Sequence, residues 1–156
     1  MGIEIERKFL VRQELLPLLK DGRRIIQGYL TDSPSIRFRL IEDKLILTVK
    51  KPQSDGSRFE LETEKINPSD DEVRTLQTLA LYPTIEKIRY CLDYSGLTWE
   101  IDVYQKENAG LITADVELSS LDELISFPAW IDADSEITRD PQYFNQNLGI
   151  RPFTTW

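Results

Sequence analysis

Residues 3–11 read IEIERKFLV and alternate charged with apolar side chains. Side chains two positions apart on a β-strand project from the same face. Glu4, Glu6 and Lys8 therefore share one face of a predicted strand, and apolar residues such as Phe9 lie on the other. The pattern predicts a strand with one charged face and one apolar face.

The same alternation recurs along most of the chain. It predicts strands at 3–11, 25–30, 35–41, 44–50, 57–65, 85–93, 97–104 and 112–119. Helical spacing and capping residues predict helices at 13–20, 69–81, 121–125 and 140–148. The chain of 156 residues is long enough for one core. We therefore expect a single α+β domain over 1–156, with about eight mostly antiparallel strands.

Like charges are grouped on these strands. Six strands carry a like-charged doublet on one face: Glu4/Glu6, Arg37/Arg39, Glu60/Glu62, Lys87/Arg89, Glu100/Asp102 and Asp115/Glu117. A sheet with one solvated face also alternates, but surfaces usually mix the two signs of charge. The predicted helices also need an apolar surface to cover. Two arrangements satisfy both points: a barrel with its charged faces inward, or an open sheet with helices on one face.

Charges that face inward need partners, because an uncompensated buried charge costs several kcal/mol. Clustered carboxylates suit Mg²⁺ or Mn²⁺, which prefer oxygen ligands. Arginine and lysine suit phosphate oxygens, and arginine can bind them in bidentate fashion. Acids and bases around one cavity therefore indicate a site for a metal and a polyphosphate.

Composition excludes several other functions. There is no histidine, which excludes histidine-ligated zinc and Ser–His–Asp triads. The net charge of −8 argues against a nucleic-acid polymer as partner. The single cysteine excludes an internal disulfide and, with an N-terminus unlike a secretory signal, favours the cytoplasm. No apolar run reaches the roughly 18 residues that would cross a membrane.

The order of the charged motifs resembles that of the CYTH superfamily, the triphosphate tunnel metalloenzymes. The likeness spans residues 3 to 119 and rests on Glu4-x-Glu6-x-Lys8, Arg37-x-Arg39, Lys50, Glu60-x-Glu62, Lys87-x-Arg89, Glu100-x-Asp102 and Asp115-x-Glu117. The resemblance implies a closed eight-stranded antiparallel β-barrel, or tunnel, with a charged interior and helices packed on the outside. It also implies dependence on a divalent metal, Mg²⁺ or Mn²⁺, and a substrate with a linear triphosphate group.

The resemblance also implies roles for individual side chains. The expected phosphate-binding residues are Lys8, Arg37, Arg39, Lys50, Lys87 and Arg89. The expected metal ligands are Glu4, Glu6 and Glu117, with Asp115 and Asp102 as further candidates. Asp115 stands where the family often has glutamate, and its shorter reach could withdraw it from the metal. Glu60 and Glu62 are candidates for activating water, and Lys8 and Tyr29 for further catalytic roles; Tyr29 also fits a packed tyrosine.

The expected activity is metal-dependent hydrolysis of a small triphosphate, with inorganic tripolyphosphate ahead of ATP and thiamine triphosphate. Two alternatives keep the site and change the chemistry or substrate: a class IV adenylate cyclase and a thiamine triphosphatase. A third, non-catalytic alternative is a module that binds polyphosphate or a nucleotide. We expect a monomer or a homodimer.

Overall fold

Backbone hydrogen bonds join nine strands into one antiparallel sheet in the computed structural model, which describes residues 5–54 and 58–156. The strands are β1 (Ile5–Val11), β2 (Arg23–Asp32), β3 (Ser35–Ile41), β4 (Lys44–Pro52), β5 (Arg58–Ile66), β6 (Ile85–Tyr94), β7 (Leu97–Tyr104), β8 (Ile112–Leu118) and β9 (Ile131–Glu136). Their order across the sheet is β5-β4-β3-β2-β6-β7-β8-β1-β9. All eight predicted strands are confirmed within a few residues, although residues 3, 4 and 57 lie outside the described residues.

The prediction of a closed eight-stranded barrel was wrong. A strand has only two edges for pairing, and β1 uses both, one against β8 and one against β9. β5 pairs only with β4, so within the described ranges no ladder joins the two ends of the sheet. The ninth strand comes from residues 126–139, to which the sequence pattern assigned no element.

The apolar face of the sheet carries the main core. Phe9, Trp99, Ile101 and Val116 are fully buried there, on β1, β7 and β8. Trp99 meets Phe9 and Trp130 edge-to-face, with ring centroids 5.9 Å apart in each pair. The segments 13–20 and 119–131 cover this face, since leucines of the first and isoleucine and aromatic side chains of the second pack in the cluster. The opposite, charged face is therefore left free of this core.

The helices are shorter than predicted. α1 (Asp70–Leu79) begins with a capping box, in which Ser69 and Glu72 each bond the other's backbone N–H. Residues 13–20 form only the 3-10 turn Gln13–Leu15, because Pro17 favours extended backbone at Leu16. The prediction of a helix at 121–125 was also wrong, since five residues give too few internal hydrogen bonds. No helix among the described residues is long and apolar enough to cross a membrane.

The C-terminal segment packs on the charged side of the sheet. The predicted helix 140–148 is split into the 3-10 turn Pro141–Tyr143 and α2 (Asn145–Ile150). Leu148 of α2 is fully buried against Ile85 and Tyr104, and Leu111 completes this second core. Because Tyr104 stands opposite Lys87, the segment covers one end of the charged face. α2 therefore departs from the prediction that all helices would pack on the outside.

Candidate active site

The ladder registers place all the described candidate residues on one face of the sheet. Lys8 faces Asp115 across β1 and β8, Arg89 faces Asp102 across β6 and β7, and Lys50 faces Glu60 across β4 and β5. Alternation along each strand then adds the remaining members: Glu6, Tyr29, Arg37, Arg39, Glu62, Lys87 and Glu117. Glu4 lies outside the described residues. We call this surface the charged face.

A buried ion-pair network occupies the centre of the charged face. Asp102 is fully buried, and Arg89 binds it in bidentate fashion through Nε and Nη2, at 2.7 and 2.9 Å. Lys87 Nζ lies 2.9 Å from Asp102 Oδ2. Arg89 Nη1 also contacts Glu100 at 2.6 Å. Burial by itself would raise the pKa of Asp102, but the two cations outweigh it and hold the pKa well below its usual range.

Lys87 is enclosed on every side. Its side chain is fully buried, and Asn145 Oδ1 at the start of α2 accepts hydrogen bonds from Lys87 Nζ (3.2 Å) and from the Tyr104 hydroxyl (2.8 Å). Burial lowers the pKa of Lys87 to about 8, although Asp102 acts in the opposite direction. Lys87 is therefore a desolvated cation held between a carboxylate and the C-terminal segment.

An acidic group lies where β1 pairs with β8. Glu6 directly faces Glu117, and like charges in this position destabilise a sheet unless a cation lies near them. Asp115 is buried, and its Oδ1 has no hydrogen-bond donor; Lys8 Nζ, the nearest cation, is 3.8 Å away. Burial raises the pKa of Asp115 to about 7, and the Glu6 charge adds to the rise. Asp115 Oδ1 is thus a buried acceptor with a long ion pair to Lys8 and no hydrogen-bond donor.

A basic group lies on β2 and β3. Arg39 Nε donates to Gln27 Oε1 at 3.3 Å, and Gln27 Nε2 donates to the Tyr29 hydroxyl at 3.2 Å. The pKa of Arg39 is lowered to about 10 by burial and by the neighbouring charge of Arg37. Arg37 Nε is buried without an acceptor. This unfilled donor lies on the same face as the unfilled acceptor of Asp115.

The two candidate water-activating glutamates lie on the edge strand β5. Lys50 Nζ is 3.9 Å from Glu60, and the Thr48 hydroxyl donates to Glu62 at 3.4 Å. In the order of the sheet, six strands separate β5 from β1. The structure therefore places Glu60 and Glu62 on the charged face but next to the basic residues of β4, and at the far end of the sheet from Glu6.

Sequence reasoning missed four polar residues that complete the charged face. Gln27 is buried beside Arg39, and Thr48 is buried between Arg37 and Glu62. Tyr104 and Asn145 enclose Lys87. Gln27, Thr48 and Tyr104 share strand parity with charged candidates, so alternation alone signals them. Asn145 carries no such signal, because only the tertiary structure brings α2 to this surface.

The carboxylate oxygens of the acidic group fit a hard divalent cation in part. Asp115 Oδ1 is an unfilled oxygen ligand, and Glu6 and Glu117 stand opposite each other beside it. Among residues 5–54 and 58–156, however, no three acidic or cysteine side chains converge closely enough to hold a metal by themselves. Glu4, on the same predicted strand face as Glu6, is the remaining acid of this group.

The fold and the charged face define a class: an antiparallel sheet protein that joins acidic and basic doublets on one face, suited to an anion with a cation. The chain belongs to the CYTH domain family, whose domain matches residues 2–148. It is 39% identical over 155 residues to an inorganic triphosphatase of Acetivibrio thermocellus, covering 98% of this chain and 97% of the relative. An inorganic triphosphatase of Nitrosomonas europaea is 32% identical over 164 residues, covering 94% of this chain and 97% of that one.

Solved structures agree on the fold. A crystal structure of the inorganic triphosphatase NE1496 matches with a TM-score of 0.70 at 27% identity, covering 96% of each chain. A putative adenylate cyclase from Bacillus halodurans matches with a TM-score of 0.53 at 19% identity, covering 76% of this chain and 81% of the other. The second likeness is one of fold alone.

Proposed function

We propose that this chain is a triphosphatase that hydrolyses inorganic tripolyphosphate in the presence of Mg²⁺ or Mn²⁺. One observation carries the proposal: a buried donor, Arg37 Nε, and a buried acceptor, Asp115 Oδ1, both lack hydrogen-bond partners on the same face. Buried polar groups are nearly always paired, so a missing anion and a missing cation account for both. The relatives named inorganic triphosphatase support this choice of ligand.

The basic side chains would bind the substrate. Arg37 and Arg39 stand side by side on β3, and each offers a planar set of donors that matches phosphate oxygens. Burial and then the charge of Arg37 lower the pKa of Arg39, and an anion between the two guanidinium groups would offset their repulsion. Lys8, Lys50, Lys87 and Arg89 would hold the rest of the phosphate chain. We infer that these contacts also offset charge on the phosphoryl group as it is transferred.

Glu4, Glu6, Asp115 and Glu117 would hold the cation, which when bound would neutralise phosphate charge and polarise the scissile phosphoryl group. Hydrolysis adds water to the terminal phosphorus and breaks the bridging P–O bond, so orthophosphate and pyrophosphate leave. We infer that Glu60 or Glu62 accepts the proton of that water, which requires the substrate to lie between β5 and the acids of β1 and β8 on the charged face. We also infer that Lys8 and the Tyr29 hydroxyl position the reacting phosphate. Residues 1–156 would act as one domain.

The test is release of phosphate from tripolyphosphate by the purified chain with Mg²⁺ or Mn²⁺. We expect Glu6→Gln to remove at least 99% of the activity while far-UV circular dichroism stays unchanged, because it deletes a ligand charge but not a core contact. The matched control is Glu14→Gln, an exposed glutamate in the turn under the apolar face, which should keep full activity. Full activity of Glu6→Gln would refute the assigned metal site.

Product analysis separates the alternatives. ATP and thiamine triphosphate are offered beside tripolyphosphate, and we expect tripolyphosphate to give the highest kcat/KM. Cyclic AMP as the product from ATP would identify a cyclase. Tight tripolyphosphate binding without turnover under either metal would identify a binding module and overturn the proposal.

A further inference from the structure

We propose that Asp102 is a positioning residue that anchors Lys87 and Arg89 to the charged face, and that it is not a metal ligand. This inference rests on the proposed function and withdraws Asp102 from the metal-binding candidates. The reason is that cationic side chains already occupy both carboxylate oxygens of Asp102. Oδ1 accepts from Arg89 Nε at 2.7 Å, and Oδ2 accepts from Arg89 Nη2 and lies near Lys87 Nζ, both at 2.9 Å.

The three acids where β1 pairs with β8 differ from Asp102 in their surroundings. Asp115 Oδ1 has no donor, and Glu6 and Glu117 are exposed. Asp102 is fully buried under Lys87 and Arg89. A divalent cation at Asp102 would therefore stand in contact with two positive charges in a poorly solvated place, where repulsion is strong. A cation at Asp115 meets one amine, 3.8 Å away.

The two members of the Glu100-x-Asp102 doublet also differ in surroundings. Both share one strand face, and both touch Arg89. The Glu100 side chain keeps 38% of its surface exposed, whereas Asp102 keeps none. The sequence pattern places both residues on one face, and the family resemblance made only Asp102 a candidate metal ligand. Burial shows that only Asp102 lies within the fold, directly opposite Arg89 in the β6–β7 ladder.

The anchor has a consequence for substrate binding. A guanidinium recognises phosphate through a planar array of donors, so its plane must be fixed for bidentate contact. The paired bonds to Asp102, together with the Nη1 contact to Glu100, fix the plane of Arg89 and leave one N–H on each of Nη1 and Nη2 for an anion. Lys87 is held by the same carboxylate and by Asn145. Asp102 therefore acts on the phosphate through these two cations rather than by contact with it.

Two measurements on Asp102→Asn test the assignment. The first is Mn²⁺ binding without substrate, read by calorimetry, with Glu117→Gln as the matched acidic variant. We expect Asp102→Asn to bind Mn²⁺ within twofold of the wild type, and Glu117→Gln to bind at least tenfold more weakly. Loss of Mn²⁺ affinity in Asp102→Asn equal to that in Glu117→Gln would overturn the proposal.

The second measurement is a kinetic double-mutant cycle with Arg89→Gln. Asp102→Asn should raise the KM for tripolyphosphate about tenfold, because hydrogen bonds to a charged group are lost, and should change kcat much less. In the Arg89→Gln background the same change should add no more than about twofold, since the group it positions is gone. A merely structural role of Asp102 would make the effects of the two substitutions fully additive. That result would refute an action through Arg89.

A folding defect is handled by a second variant. Asp102→Asn combined with Lys87→Met removes the two fully buried charges and keeps similar volumes, and Arg89 keeps its ion pair with Glu100. Mn²⁺ binding by this double variant should match the wild type; a tenfold loss would again contradict the proposal. The Mn²⁺ binding measurement needs no turnover. If the wild type does not hydrolyse tripolyphosphate, the proposed function is refuted, but the conclusion that Asp102 is not a metal ligand is unaffected.

Discussion

Asp115→Asn should stabilise the metal-free protein and abolish activity. Asp115 is buried, and its Oδ1 has no donor, so its charge lowers stability unless a cation is bound. Burial raises the pKa of this carboxyl from about 3.8 to about 7, roughly a thousandfold loss of acidity. Each tenfold corresponds to 1.36 kcal/mol, so ionised Asp115 costs about 4 kcal/mol at pH 8.

The pH dependence gives the sign of the effect. Between pH 3.8 and 7 the folded protein keeps the Asp115 proton and the unfolded chain loses it, so stability falls as pH rises through this window. Asparagine resembles the protonated carboxyl and carries no such dependence. The advantage of Asp115→Asn should therefore approach about 4 kcal/mol at pH 8 and fall below about 2 kcal/mol at pH 5.

Urea unfolding with EDTA at pH 5 and pH 8 measures this difference, and Mn²⁺ should then stabilise the wild type but not Asp115→Asn. A variant less stable than the wild type at pH 8, or a gain independent of pH, would refute the reasoning. Either result would mean that Lys8, 3.8 Å away, already compensates the Asp115 charge in the free protein.

Three further changes test the fold. Leu148→Ala should cost 2–5 kcal/mol in urea unfolding because Leu148 is fully buried where α2 meets the charged side, whereas Leu124→Ala, 93% exposed, should change stability by less than about 0.5 kcal/mol. Gly28→Ala should cost about 1–3 kcal/mol, since its Cβ would lie 2.6 Å from Phe38 Cζ; an unchanged urea midpoint would show that Phe38 moves aside freely. Arg24 and Lys106 hold the pKa of Glu86 at about 2, so Glu86→Gln should cost about 1 kcal/mol at neutral pH, and the difference should close as pH falls from about 4.5 towards 2; a constant difference across that range would contradict it.

The strands and their two faces were predictable because alternation is a local property. Charged side chains at every second position, such as Glu6 and Lys8, predict a β-strand. A strand buries Phe9 on one face and leaves the charged side chains together on the other. The eight strand positions followed from this rule, and so did the membership of the charged face. The C-terminal helix was found but misplaced, because short helices take their position from the surface they cover and not from their own spacing.

The sequence by itself determined which side chains share a face, since strand parity depends only on the covalent chain. The tertiary structure decided how that face is built. β9 occupies the free edge of β1 and keeps the sheet open. The β6–β7 register places Arg89 opposite Asp102. The neighbours of Asp115 on β1 and β7, Lys8 and Glu100, give its Oδ1 no hydrogen-bond donor. Sequence spacing cannot show which acidic side chain is buried or which groups it bonds, because both depend on strands and segments that are distant in the chain.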